Sequence, residues 1–298
     1  MQPWYLDIMA PDQWDVVLHF DKEEQLDGIH TFCIQKKWNS TLILPIPLIP
    51  YSGIWYKYPS GGTLKANTQL SFRHDMMVSL MDQLPVASIA IQNLRPMQTD
   101  ILPLMWKKWK HQVRFTFYLD TRAGKEQLLA NIKSSLRNEI RSAEKKLYIK
   151  FNEDLPSAVG LFQQKLRDKR AYFSHSDEKL LKLVQNCIER NQGTIINTYQ
   201  ANTDLVASTF FVWDSEQVYY MLSGNSDAKM EKGANALLIW QGIQLAADKS
   251  LGFNFEGGMS KGIGQYFAGF GAQTQPYLQI NRCVNQFWSF IGQLRFGL

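Results

Sequence analysis

Apolar and polar residues alternate over short runs in the first third of the chain, and this two-residue period predicts strands at 16–20, 29–36 and 41–47. Tyr51-Ser52-Gly53-Ile54-Trp55-Tyr56 reads as an aromatic loop closed by Pro59 and the Gly61-Gly62 pair. A helical period follows over 67–84 and stops at Pro85, and 88–91 predicts a further strand. Residues 103–111 read as a connector with two tryptophans and three lysines, before strong alternation at 113–119 predicts a strand.

Beyond this point the pattern changes character. Leu128, Leu129, Ile132, Leu136, Ile140 and Ala143 form one apolar stripe, which predicts a single helix over 125–146. Lys133, Arg137, Arg141 and Lys145, each four apart, form a basic ridge opposite. A strand at 148–151 and helices opened by Pro156 (running through Tyr172) and by Ser176-Asp177 follow. Three strands at 194–199, 205–213 and 217–223, joined by tight turns, predict an antiparallel meander. A helix over 233–247, a buried strand at 253–256 ending in Gly257-Gly258, a short helix at 263–270 and a strand at 275–281 complete the series. The aromatic run Phe287-Trp288-Ser289-Phe290 reads as a segment packing back on the second lobe, with contact to a membrane surface as the alternative.

At 298 residues the chain exceeds the size at which one core usually stops growing, so two lobes are expected, at 1–112 and 113–298. The 45% hydrophobic and 20% charged fractions exclude disorder as the general state. No apolar run is long enough to span a membrane, and the first residues lack a signal-peptide pattern, so a cytoplasmic location is expected. Cys33, Cys187 and Cys283 are far apart and the histidines lack ligand spacing, which points away from disulfides and metal and towards small buried hydrophobes. A net charge of +5 permits an anionic substrate without demanding one.

Several segments, in order, resemble the FemABX-like proteins of the GNAT acyltransferase superfamily. The helix Ser134-Ser135-Leu136-Arg137-Asn138-Glu139-Ile140-Arg141 is similar to that family's "SSxRNxIR" segment. Gly233-Ala234-Asn235-Ala236-Leu237-Leu238 is similar to its "GAxxLL" helix, and Phe255-Glu256-Gly257-Gly258 with Tyr266-Phe267-Ala268-Gly269-Phe270-Gly271 to "FEGS…FFRxFG". Tyr51-Ser52-Gly53-Ile54 resembles a "QYxGI" loop. The resemblance implies an α/β (α+β) chain of two tandem GNAT-like units, each a mixed, mostly antiparallel sheet flanked by helices, the N-terminal one degenerate. It also implies transfer of an acyl or aminoacyl group from acyl-CoA or aminoacyl-tRNA to an amine, a small molecule or a cell-wall precursor, with no tightly bound cofactor. The chain departs from the pattern where Met230, Asn235 and Ala268 replace expected residues, and it is too short for the helical arm of staphylococcal aminoacyl-tRNA-dependent peptidyltransferases. A catalytically degenerate binding or scaffold protein is therefore the competing expectation.

The candidate chemistry follows from that reading. Gly233, Ala234 and Asn235 open a helix whose free amides and dipole suit a donor phosphate, reinforced by Lys229 and Lys232, unless Gly233 merely starts the helix. Glu256, at the end of a buried strand, is a candidate base whose alternative is a structural carboxylate. Tyr266 could protonate a leaving group or simply pack. Ser260 and Lys261 at the next helix start could bind an anion, as could Arg137; an N-cap and a solvated face are the plain alternatives. Tyr51 and Trp55 could wall an acceptor cleft. The basic ridge could hold RNA, and Arg73-His74-Asp75 reads as solvated helix.

Overall fold

A computed structural model describes residues 2–37, 39–59, 65–96, 98–168, 176–201, 204–226 and 231–298. The chain divides into two units, Met1–Arg114 with Pro276–Leu298, and Phe115–Gln275. Sequence placed the break at 112/113 and gave everything after it to the second lobe. The stretch 276–298 instead belongs to the first unit, because its strand and helix find their partners there.

Unit 1 contains α1 (Pro3–Met9), β1 (Trp14–Phe20), β2 (Leu26–Lys37), β3 (Ser40–Ile43), β4 (Ile54–Tyr56), α2 (Ala66–Asp82), β5 (Ile89–Asn93) and α3 (Leu102–Trp106). β6 (Lys110–Leu119) runs across the chain boundary into unit 2. There follow α4 (Lys125–Asn131), α5 (Ser134–Glu144), β7 (Tyr148–Phe151), α6 (Leu155–Asp168), α7 (Asp177–Glu189), β8 (Gly193–Tyr199), β9 (Leu205–Trp213) and β10 (Gln217–Asn225). α8 (Ala234–Asp248), β11 (Gly252–Asn254) and α9 (Lys261–Ala268) close unit 2, and β12 (Gln273–Cys283) returns to unit 1 before α10 (Gln286–Phe296).

Within unit 1 the strands lie in the order β1-β2-β3-β5-β12, with β4 on β2. Within unit 2 the order is β6-β11-β10-β9-β8-β7. Each unit is thus a mixed, mostly antiparallel sheet flanked by helices. Among the described strand pairs, each unit has one that is parallel: β3 with β5 in unit 1 and β10 with β11 in unit 2. A parallel pair needs a crossover, and a helix lies on each one, α2 and α8 respectively.

The stripe over 125–146 does not form one helix. Ile132 is extended at the end of α4, and Lys133, also extended, precedes α5 and donates its amide to Gly269 O at 2.8 Å. The apolar period survives the break, because Leu128, Ile132, Leu136, Ile140 and Ala143 all reach one core. The ridge does not survive it whole, since Lys133 lies outside the helix. The C-terminal run, expected on the second lobe, packs Trp288, Ile291 and Phe296 against Leu42, Ile89 and Ile91 of unit 1. His74, expected to be solvated and unpartnered, lies 2.9 Å from Asp100 Oδ2, which Arg73 also contacts at 3.1 Å. Among the described residues no helix is long and apolar enough to cross a membrane, and no acidic, His or Cys cluster could hold a metal ion. Cys33, Cys187 and Cys283 form no disulfide with one another, and the first two are buried.

Candidate active site of unit 2

The site begins where two neighbouring strands part. β10 and β11 pair through Gln217–Tyr219 and Gly252–Asn254, and there β11 ends. β10 runs on to Asn225, still bonded to β9, with its register slipping between Tyr220 and Leu222. A bulge of this kind bends a strand and re-aims its side chains. The helix that joins the two strands, α8, then starts beside the open end.

Gly233 caps α8 with φ 90°, in the left-handed region that side chains rarely adopt. A Cβ there would also lie 2.6 Å from the Glu139 carbonyl oxygen of α5. Two constraints therefore demand glycine, and both set where the helix opens. The amide of Ala234 bonds Glu231 O and that of Leu237 bonds Gly233 O, which leaves the amides of Asn235 and Ala236 without intrahelical partners. α8 is anchored behind them by Leu237, Leu238, Ile239, Trp240 and Ile243, all in the core.

A groove of about 270 Å³ opens at this turn, lined by Glu139, Val206, Asn225, Tyr266 and the run Glu231–Ala236. Its mouth carries both signs of charge. Lys232 Nζ lies 3.3 Å from Glu139 Oε1 and is largely exposed, and Lys146 Nζ lies 2.7 Å from Glu231 Oε1. Lys232 is thus partly neutralised by Glu139, while Lys229 and Met230 lie outside the described residues. Gly224, beside the splay, faces the α6 backbone, where a Cβ would meet Leu161 at 2.5 Å; the groove opens at the next residue.

Tyr266 enters the groove from α9. Burial raises its phenol pKa, and the charges of Tyr220 and Glu139 push the same way. Glu256 is not part of the groove lining. It stands after β11 at φ 51°, followed by Gly257 at 137° and Gly258 at 110°, three successive residues with positive φ. Strain on this scale persists only where surroundings over-determine it. Here Thr116 Oγ1 donates to Asn254 Oδ1 at 2.8 Å, the Glu256 amide donates to that same oxygen at 3.0 Å, and the Gly257 amide donates to Thr116 Oγ1 at 3.2 Å. Gln217 Oε1 accepts from Asn254 Nδ2 at 2.9 Å. The Glu256 Oε1 atom is buried with no hydrogen-bond partner, and burial pushes the carboxyl up to about 8.

The other candidates are dispersed. Arg137 donates to Ala130 O at 2.9 Å and so caps the end of α4. Ser260 is the N-cap of α9 and makes no side-chain cap bond; its carbonyl accepts from Gly264 N at 2.8 Å, and both Ser260 and Lys261 are exposed. Tyr51 and Trp55 belong to unit 1, where Tyr51 meets the Tyr277 ring edge-on at 5.3 Å and Trp55 is half exposed. Thr116 and Asn254, the residues that hold the Glu256 loop, carried no sequence signal beyond a polar residue inside an apolar strand. Such a residue needs a buried partner, and that need was the available clue.

No protein-family model and no curated protein matches this sequence. Among solved structures, the chain is similar to FemX, with a TM-score of 0.65 and 10% identity over 98% of this chain and 93% of that one. The chain has the FemABX-like tandem GNAT fold. The same fold likeness extends to L-PGS from Bacillus licheniformis, at TM-score 0.57 and 10% identity over 97% and 91% of the two chains. A tandem GNAT protein from the clavulanic acid biosynthesis pathway follows at TM-score 0.51 and 8% identity, over 94% and 86%. In this chain the groove, the α8 turn and Tyr266 all fall within unit 2.

Proposed function

We propose that this chain is an acyl- or aminoacyltransferase whose donor lies in the groove of unit 2. The observation that carries the reading is the open groove at the start of α8, bounded by the left-handed Gly233 and reached by the Tyr266 side chain. A linear acyl carrier fits a slot at the end of β10, and its anionic end meets the amides of Asn235 and Ala236. Two lysine–carboxylate pairs leave the mouth near neutrality, so affinity for that end rests on the helix amides more than on side-chain charge. Acyl-CoA and aminoacyl-tRNA both present such a carrier, and the name of one fold neighbour refers to AcCoA.

The residues then take separate tasks. The groove orients the activated carbonyl towards an amine, and alignment alone supplies much of the acceleration. Tyr266, whose phenol stays protonated at neutral pH, donates to the leaving group. Glu256, near 8, is about nine-tenths protonated at pH 7 and becomes a base as the pH rises through that value. The acceptor is an amine, with a cell-wall precursor as the candidate that the FemABX resemblance implies.

The competing reading is a binding protein that has kept the fold and lost the reaction, and the position of Glu256 outside the groove lining favours it. Isothermal titration with an acyl-CoA series and with aminoacyl-tRNA separates the two. Binding followed by amine-dependent release of the carrier supports the transferase; binding without turnover across an amine panel supports the binding protein. Failure to bind any of these donors removes the groove from both readings.

A further inference from the structure

α10 presents an apolar stripe outward, and the face that carries it is cationic. The helix is capped by Asn285, whose side chain accepts from Trp288 N at 3.1 Å, and it ends at the left-handed Gly297. Trp288, Ile291 and Phe296 point inward to the unit 1 core. On the opposite side Phe287, Phe290 and Leu294, spaced three and four apart, are 62%, 59% and 68% exposed. Val284, 58% exposed, precedes the helix cap, and its amide bonds Ser88 O at 3.1 Å. Single exposed apolar residues need no explanation, but three in one row of one helix do.

The charges choose the occupant. Arg295 lies in the last turn of the helix, and Lys110 is close enough to Cys283, which packs against α10, to lower its thiol pKa, against the larger upward push of burial. No acidic residue occurs anywhere from Gly257 to Leu298, nor from Ile101 to Leu119. Packing the stripe against a second copy would bring two sets of these cations together, and the segments that bear them contain no carboxylate. Lipid phosphates offer that offset, and a headgroup boundary accepts phenylalanine and leucine side chains flanked by arginine. We propose that α10 lies in the headgroup region of an anionic bilayer and tethers unit 1 to it.

The test is sedimentation of the full chain with vesicles of phosphatidylglycerol and phosphatidylcholine in equal parts, against vesicles of phosphatidylcholine alone. The chain should sediment with the anionic vesicles, far less with the neutral ones, and be released by high salt. Phe287→Ser/Phe290→Ser/Leu294→Ser should weaken binding by about a hundredfold, since each apolar side chain withdrawn from the interface removes a large share of the buried area. Arg295→Gln keeps the apolar stripe and should weaken binding by about fivefold at low salt. Equal binding to both vesicle types, no binding to either, or a serine variant that binds like the parent overturns the proposal. So does a chain that is dimeric in solution and becomes monomeric in the serine variant, which assigns the stripe to a second copy. If the serine variant does not fold, the arginine variant and the salt dependence decide alone.

Discussion

The two units solve the same topological problem differently. Each has a parallel strand pair whose crossover carries a helix, α2 between β3 and β5, and α8 between β10 and β11. α8 opens from a left-handed glycine beside a groove of about 270 Å³, and its next turns are buried almost all round. α2 opens from an extended Lys65 and buries a narrower, methionine-rich side, Met76, Met77, Leu80 and Met81. The buried polar groups differ too. Unit 1 places His30 and Gln92 deep in its interior, near a cavity of about 10 Å³ that suits a single water. Unit 2 leaves Glu256 and Asn235 with unpartnered oxygens around its groove and strained loop. A fold repeated in one chain need not repeat its chemistry, because chemistry requires space next to the polar atom.

The largest break of this contrast is expected from Gly233→Val. Strained φ and a Cβ only 2.6 Å from the α5 backbone should cost about 3 kcal/mol or more in chemical denaturation and abolish donor binding. Lys65→Ala, at the matching helix start of unit 1, should cost well under about 0.5 kcal/mol. Similar losses at the two positions would mean that the α8 turn is not special.

Opposite pH responses sharpen the comparison next. Burial lowers His30 to about 4, so the folded unit 1 keeps the ring neutral where the unfolded chain, near 6.5, takes up a proton. Unit 1 should therefore lose stability as pH falls from about 6.5 towards 4, by about 3 kcal/mol. Glu256 is raised to about 8, so the folded unit 2 holds a proton that the unfolded chain releases near 4.5. Unit 2 should lose stability as pH rises from about 4.5 to 8, by about 2 kcal/mol once partial solvent access is allowed for. Hydrogen exchange resolved by unit should show the two slopes with opposite sign, and slopes of equal sign would refute the assignment.

Asn254→Ala removes the acceptor that holds both Thr116 and the Glu256 amide, and about 2 kcal/mol of unit 2 stability should go with it. Glu256→Gln should leave the fold intact, raise stability at pH 8, and remove a rate component that rises with apparent pKa near 8. The smallest effect belongs to the mouth. Lys232→Ala breaks an exposed pair and should change stability by less than about 0.5 kcal/mol.

The meander, the α8 and α9 helices and the capped α7 were legible in sequence because each is set by local periodicity and end signals. Ser176 does accept from Lys179 N, as its position before Asp177 indicated. The break at Ile132–Lys133 was not legible, since the apolar period runs through it and only the Gly269 carbonyl, distant in sequence, fixes the kink. Arg137 drew attention as a cation and turned out to cap α4, a role that depends on where α4 ends. His74 found Asp100 across 26 residues, a pairing no spacing rule encodes.

By itself the sequence determined the order of helices and strands from the meander through α9, the glycine at the α8 turn and the family resemblance, all properties that neighbouring residues settle among themselves. Only the tertiary structure decided that 276–298 joins unit 1, that a groove opens between the start of α8 and the end of β10, that Tyr266 enters it, and that Glu256 stands apart from it in a strained, solvent-poor loop. Those outcomes depend on which distant strands share hydrogen bonds and how much water remains beside a side chain, and both are set by packing across the whole unit.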